Sequence, residues 1–395
     1  MIDTLHIELS TLCNAACPCC ARYIMNSTVV GEYLNVGYIS IDTFKKWFPS
    51  EVLNDVQYLR FCGNHGDPCT NPDLIEIIKY LSNFEFKRFQ INTNGGMKTP
   101  KFWKELSLAC NSLTFETLIV FSIDGLENTN HIYRRNVNWK KLIENVTSFN
   151  SNSTNRNIWK AWDYLVFKHN EHQLEEAQKL SLELGFDKIQ FKSPINLDDG
   201  INITPVPVLD GRGNIVDWLH PSTLDEFKPT YLSNDANVVY IERELHEQVG
   251  WFDDELSESD INFIKKYENI KIEPRCVEND FYVESHGDVY QCCFVANDIY
   301  TKKKHYLEGK YVDIKFKQQF DAMDKIGFEK FNLNTNTIKN IIEDRLLYNV
   351  YNKSWDKTFK EGKILECANI CGNMNCHDVL FESQREENEN IRKQH

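Results

Sequence analysis

Strand-like and helix-like segments alternate through the first half of this chain at intervals of about thirty residues, the length of one βα unit. Leu5, Ile7 and Leu9 alternate with polar residues and predict a first strand. Residues 56–62 predict a second, 89–93 a third, 118–123 a fourth, 164–167 a fifth and 188–191 a sixth. The fourth is apolar except for Ser122, the pattern of a strand covered on both faces. Between them lie helical stripes. Leu74, Ile77, Ile78 and Leu81 share one face, with Asn71 placed to cap and Pro72 in the first position. Trp139, Leu142, Ile143 and Val146 mark another helix, and Leu174, Ala177, Leu180 and Leu184 a third that stops at Gly185. Six such repeats imply parallel strands with right-handed crossovers: an α/β fold, a partial (β/α)6 barrel. Ligands in these folds sit beyond the C-terminal ends of the strands, so the loop after strand one belongs to the active face.

The bulk properties agree with a soluble globular protein long enough for two domains. The chain has 395 residues, is 42% apolar and 26% charged, and carries a formal net charge of −14. No run has the length of a transmembrane helix and no leader precedes the first strand, so the expected compartment is the cytoplasm, with no membrane partner. The negative charge opposes non-specific attraction to nucleic acid. Lys302 to Lys304 form a short basic run that reads as a solvated loop.

Thirteen cysteines are many for such a chain, and an odd number at short spacings suits metal ligation better than a disulfide framework. Cys62, Cys69 and Cys110 stand alone and read as buried small apolar side chains. The stretch from Cys13 to Cys20 places thiols at Cys13, Cys17 and Cys20, with Cys19 as a neighbour. Soft thiolates select iron–sulfur clusters, zinc or copper(I). Three in one loop would leave one iron of a 4Fe-4S cluster for another ligand, whereas structural zinc favours paired CxxC or Cys/His units.

With this CxxxCxxC in the loop after strand one, the chain resembles the radical S-adenosylmethionine (SAM) superfamily across residues 4–195. Further motifs fall in the family's order. His65-Gly66-Asp67-Pro68 follows strand two, Thr93-Asn94-Gly95 ends strand three, and Ser122-Ile123-Asp124-Gly125 ends strand four, followed by Arg134 and Arg135. The resemblance implies a 4Fe-4S cluster on Cys13, Cys17 and Cys20, with SAM bound by Gly66, Asp67, Asn94, Ser122 and Asp124. It also implies that Arg134 or Arg135 pairs with the SAM carboxylate, which a guanidinium fork suits. Two positions depart from the family pattern. An aromatic residue usually precedes the last cysteine, where this chain has Cys19, so the third ligand lies between Cys19 and Cys20, and the spacing favours Cys20. The family's Gly-Gly-Glu-Pro turn reads His65-Gly66-Asp67-Pro68 here. The implied chemistry is one-electron cleavage of SAM to methionine and a 5′-deoxyadenosyl radical, which takes hydrogen from a substrate C–H bond. An electron donor such as flavodoxin or ferredoxin is implied with it.

A second cysteine group lies toward the C-terminus. Cys276 is followed by ten residues, Gly287, four more residues and Cys292; Cys293, Cys367, Cys371 and Cys376 follow. This resembles the SPASM or twitch extension of radical SAM enzymes and implies one auxiliary 4Fe-4S cluster on Cys276, Cys292 and two of Cys367, Cys371 and Cys376, or two clusters if Cys293 joins. A structural zinc ribbon is the competing reading. The expected organisation is a radical SAM core over 1–195, a bridge over 196–275, an auxiliary iron–sulfur domain over 276–380 and a polar tail over 381–395. The expected substrate is a peptide or small molecule; no winged-helix module for a leader peptide precedes strand one. The alternatives are a tRNA- or nucleobase-modifying enzyme and a non-catalytic, zinc-stabilised interaction protein.

Overall fold

The computed structural model describes residues 2–23, 27–31, 34–194, 205–227, 258–267, 269–272, 279–296, 299–310 and 312–371. Strands β1 (Ile2–Ile7), β2 (Val56–Phe61), β3 (Arg88–Thr93), β4 (Glu116–Ser122), β5 (Ile158–Leu165) and β6 (Lys188–Lys192) stand side by side in sequence order. Every neighbouring pair among them is parallel. Helices fill the crossovers, as the thirty-residue period requires: Leu74–Leu81, Pro100–Cys110, Trp139–Asn152 and Leu174–Glu183.

The helix Leu74–Leu81 buries the four residues of its predicted stripe completely. Each such side chain contributes roughly 1.5–3 kcal/mol relative to exposure. Its cap differs from expectation. Asp73, not Asn71, holds the N-cap position. Asn71 instead donates from Nδ2 to the carbonyls of Leu9 and Ile39 and accepts from the Asp73 amide, tying the helix entry to the chain after β1. Inside the core, Phe61 meets Phe89 edge-on at 4.9 Å, and Trp103 packs on Phe121 at 5.3 Å.

β5 begins six residues earlier than expected, at Ile158 rather than 164. Its polar positions hid it: Asp163 is paired with Lys192 at 2.6 Å and Lys160 with Asp187 at 3.4 Å. The second half adds to the same sheet. β7 (Val206–Leu209) and β8 (Ile215–Leu219) form a separate antiparallel pair. By contrast, β9 (Asp280–Val283) runs parallel to β1 on its free edge, and β10 (Val289–Tyr290) closes an antiparallel hairpin with it. The eight-stranded sheet therefore has the order β10-β9-β1-β2-β3-β4-β5-β6. The C-terminal cysteine-rich region is thus stitched to β1, the strand whose following loop carries Cys13.

Beyond the hairpin the described chain is helical, including Ile314–Ile326 and Leu365–Cys371. Lys302 to Lys304 lie on the helix Ile299–Leu307 rather than in a loop, with Lys303 paired to Asp288 at 2.6 Å. Cys276, Cys376, the tail over 381–395 and most of the bridge fall outside the described residues. Among the described residues, no helix is long and apolar enough to cross a membrane.

Candidate metal and cofactor site

The loops after β1, β2, β3 and β4 meet at the C-terminal end of the sheet around a cavity of about 370 Å³. Cys13, Cys17, Cys19 and Cys20 line one side of it. Several ties hold their loop. Arg22 donates through Nη1 to the carbonyls of Thr11 and His65. The Tyr23 hydroxyl donates to the Ala15 carbonyl at 2.6 Å, and the Ala16 amide to the Arg135 carbonyl at 2.9 Å. Cys19 has φ +65°, a left-handed conformation uncommon for a residue with a Cβ, within the turn in which the Cys20 amide bonds the Cys17 carbonyl. Strain of this kind persists where the surroundings over-determine it, and it collects at functional sites.

Burial pushes all four thiols up. Cys13 reaches about 12, with the Asp67 charge adding to burial. Cys19 reaches about 12 and Cys20 about 11, each with neighbouring cysteines adding to burial. Cys17 is raised by burial while the Arg134 guanidinium pulls the other way. Buried thiols of this kind give up their protons to a strongly cationic group and otherwise stay neutral. The donor set (soft, buried and confined to one loop) fits an iron–sulfur cluster.

The turn after β2 forms the next wall. The Gly66 amide donates to Glu8 Oε1 at 3.1 Å. A Cβ at Gly66 would fall inside the van der Waals shell of the Ser10 carbonyl, so only glycine lets this turn pass the loop after β1. Asp67 is 4% exposed, and its carboxylate accepts from the amides of Cys69 and Asn94 and from Thr93 Oγ1, at 2.8 to 3.0 Å. It therefore locks the ends of β2 and β3 together. Asn94 donates through Nδ2 to Asn14 Oδ1 at 3.0 Å and lies 3.5 Å from Cys13 Sγ.

The chain after β4 supplies Arg134. Its Nε donates to Asp124 Oδ2 at 2.5 Å, and its Nη1 lies 3.6 Å from Cys17 Sγ. Asp124 is fully buried and also accepts the Leu165 amide at 2.6 Å. Ser122 and Arg134 line the cavity; Asp124 stands behind Arg134. Arg135, the other candidate, points to the β7–β8 hairpin, 3.6 Å from Asp217. At Gly125, φ is +144° and a Cβ would clash with Thr129, which fixes the turn that leads to Arg134.

Three cavity residues went unrecognised in the sequence. Cys62 is half-buried and lines the cavity, while Cys69 and Cys110 are fully buried as expected. Its position at the end of β2, on the active face, was the available signal. Cys293 lines the same cavity, its carbonyl accepting from Asn64 Nδ2 at 2.7 Å. Tyr133, beside Arg134, is the third. Cys293 lines the cavity, and its thiol is raised by burial, then by Cys292 and Cys62, whereas Cys292 joins Cys371 in raising the buried Cys367 thiol. Cys292, Cys367 and Cys371 form a second thiol group, and the other two expected ligands, Cys276 and Cys376, lie outside the described residues.

No protein-family model matches the chain, and no curated protein does. Among solved structures the chain is similar to anSMEcpe with bound AdoMet, at 15% identity and a TM-score of 0.49, over 100% of this chain and 96% of that one. It is also similar to BtrN in complex with AdoMet and 2-DOIA, at 12% identity and a TM-score of 0.37, over 94% and 92% of the two chains. Streptococcus suis SuiB bound to its precursor peptide SuiA is similar at 16% identity and a TM-score of 0.36, over 48% of this chain and only 38% of that one.

Proposed function

We propose that this chain is a radical SAM enzyme that cleaves SAM reductively and uses the radical on a peptide or small-molecule substrate. One observation carries the reading: Cys13, Cys17 and Cys20, after β1, share a single cavity with Gly66, Asp67, Asn94, Ser122 and Arg134, from the ends of β2, β3 and β4 and the chain that follows. Motif order in the sequence groups the same residues, which supports the reading. A 4Fe-4S cluster held by the three thiols would supply the electron that splits the sulfonium.

The chain's own groups have the complementary tasks. Arg134 presents a guanidinium held in place by Asp124, suited to a carboxylate. Asp67 spends its acceptors on protein donors, so its role is to set the Gly66 turn and the entry to Asn94. Ser122 offers a hydroxyl to the cavity, and Cys62, Cys293 and Tyr133 complete its walls. Cys276, Cys292 and two of Cys367, Cys371 and Cys376 would hold an auxiliary 4Fe-4S cluster, and a small reducing protein such as flavodoxin or ferredoxin would feed electrons.

The test is 5′-deoxyadenosine formation from SAM by anaerobically reconstituted protein with dithionite. The wild type and Cys19→Ala should form it; Cys13→Ala, Cys17→Ala and Cys20→Ala should not. Activity in Cys20→Ala with none in Cys19→Ala would shift the ligand register by one residue. No product from the wild type, with stoichiometric zinc and no sulfide, would end the reading.

A further inference from the structure

At the Gly66 turn, where His65 also borders the cysteine-lined cavity, Glu8, His65 and Glu284 converge. Each offers one ligand atom, and the three atoms lie within 4.8 Å of one another. All three residues are buried, at 0%, 2% and 0% exposure. Glu8 follows β1, His65 sits in the turn after β2, and Glu284 opens the turn between β9 and β10.

Glu8 is well satisfied. Its Oε1 accepts the His65 and Gly66 amides at 2.6 and 3.1 Å, and its Oε2 accepts the Tyr282 hydroxyl at 3.0 Å and faces His65 Nδ1 at 3.3 Å. The other two residues are not. His65 Nε2 and both oxygens of Glu284 have no hydrogen-bond partner. Lys303, a nearby cation, is committed to Asp288 at 2.6 Å, and Tyr300 approaches Glu284 without reaching hydrogen-bond geometry. Orphaned polar atoms at this depth cost about 1–3 kcal/mol each, more when charged.

A proton alone does not resolve this. A proton on Glu284 removes its charge but brings no donor to its second oxygen. A divalent cation takes one ligand atom from each residue and neutralises two carboxylates beside a neutral imidazole. We infer that Glu8, His65 and Glu284 form a binding site for a divalent transition-metal ion, distinct from the cysteine sites. The set holds nitrogen and oxygen donors without sulfur, which suits Mn²⁺, Fe²⁺ or Zn²⁺. Metal–ligand bonds of about 2.0–2.2 Å require ligands no more than about 4.4 Å apart, so the three side chains close by a few tenths of an ångström on binding. The ion fastens the turn carrying Gly66 and Asp67 to the C-terminal hairpin, across the β1 edge.

The probe is Mn²⁺, whose weak affinity for thiolates leaves the cysteine sites aside. Oxidised, cluster-loaded protein is dialysed against a chelator, and free Mn²⁺ is followed by its six-line EPR signal. One saturable Mn²⁺ per chain is expected, displaced by Zn²⁺, retained in Cys13→Ala and weakened more than about 100-fold in both Glu284→Gln and His65→Gln. Circular dichroism checks that each variant folds, and either folded variant suffices. Absence of a saturable site in the wild type, or undiminished binding in a folded variant, overturns the inference. If the three groups merely share a proton, the wild type takes up no Mn²⁺ and Glu284→Gln melts like the wild type.

Discussion

Arg134 joins two parts of the cavity at once: its Nε is bonded to Asp124 Oδ2 at 2.5 Å, and its Nη1 lies 3.6 Å from Cys17 Sγ. Asp124 fixes the guanidinium from behind, and the exposed edge of the fork remains for a ligand. Arg134→Lys should keep the charge and lose the fork, weakening SAM binding about 10- to 100-fold, the worth of one or two charge-assisted hydrogen bonds. Asp124→Ala should destabilise the fold by about 3–5 kcal/mol, because it strands a cation in a largely buried site. Equilibrium SAM binding and urea denaturation separate the two effects. Arg135→Lys serves as the comparison and should leave SAM binding unchanged, since Arg135 faces Asp217.

Gly66 passes so close to the Ser10 carbonyl that even a methyl group displaces backbone. Gly66→Ala should cost about 3 kcal/mol or more and lower the melting temperature by several degrees. Because the same turn carries Asp67 and borders the cysteine loop, cluster loading should fall with it. A wild-type melting curve for Gly66→Ala would contradict the packing described.

The cysteine loop has a pH signature. Burial raises Cys13 to about 12 and Cys20 to about 11, against about 8.5 for an exposed thiol. A group raised in the folded state contributes stability that is intact below its unfolded value and is lost as pH climbs through its folded value. Cluster-free protein should therefore melt progressively lower between pH 8.5 and 11, and Cys13→Ala/Cys20→Ala should flatten that decline. Cluster-loaded protein, whose ligand thiols are already ionised, should show a shallower decline, carried by non-ligand thiols such as Cys19 and Cys62. Melting temperatures across the range decide it.

The doubled cysteines should behave differently. Cys292→Ala and Cys367→Ala should each remove about four irons and four sulfides per chain, the content of one cluster. Cys293→Ala should retain all of them, because Cys293 lines the cavity and is not among the groups that act on the Cys367 thiol. Equal iron loss from Cys292→Ala and Cys293→Ala would place both in one metal site.

What the sequence disclosed follows from how local each signal is. The helix stripes and five of the six core strands were legible because each needs only a few neighbouring residues. β5 was misplaced because Lys160 and Asp163 read as loop residues while their partners, Asp187 and Lys192, lie more than two dozen positions away. The pairing of β9 with β1 joins residues about 275 apart, and nothing local in either strand names the other. Within the cavity, the spacing of Cys13, Cys17 and Cys20 marked a candidate metal loop, and the family resemblance named them as cluster ligands. The choice of Arg134 over Arg135, and the parting of Cys292 from Cys293, depend on which way a side chain turns at a loop. Adjacent identical residues do not reveal that.

The most direct test of the account is low-temperature EPR of the anaerobic, dithionite-reduced protein, recorded with and without SAM. A reduced 4Fe-4S signal that changes in shape and g values when SAM is added, and is absent from Cys17→Ala, is the predicted result. A reduced protein without such a signal, or with one indifferent to SAM, would contradict the claim that Cys13, Cys17 and Cys20 hold a cluster with an iron open to that ligand.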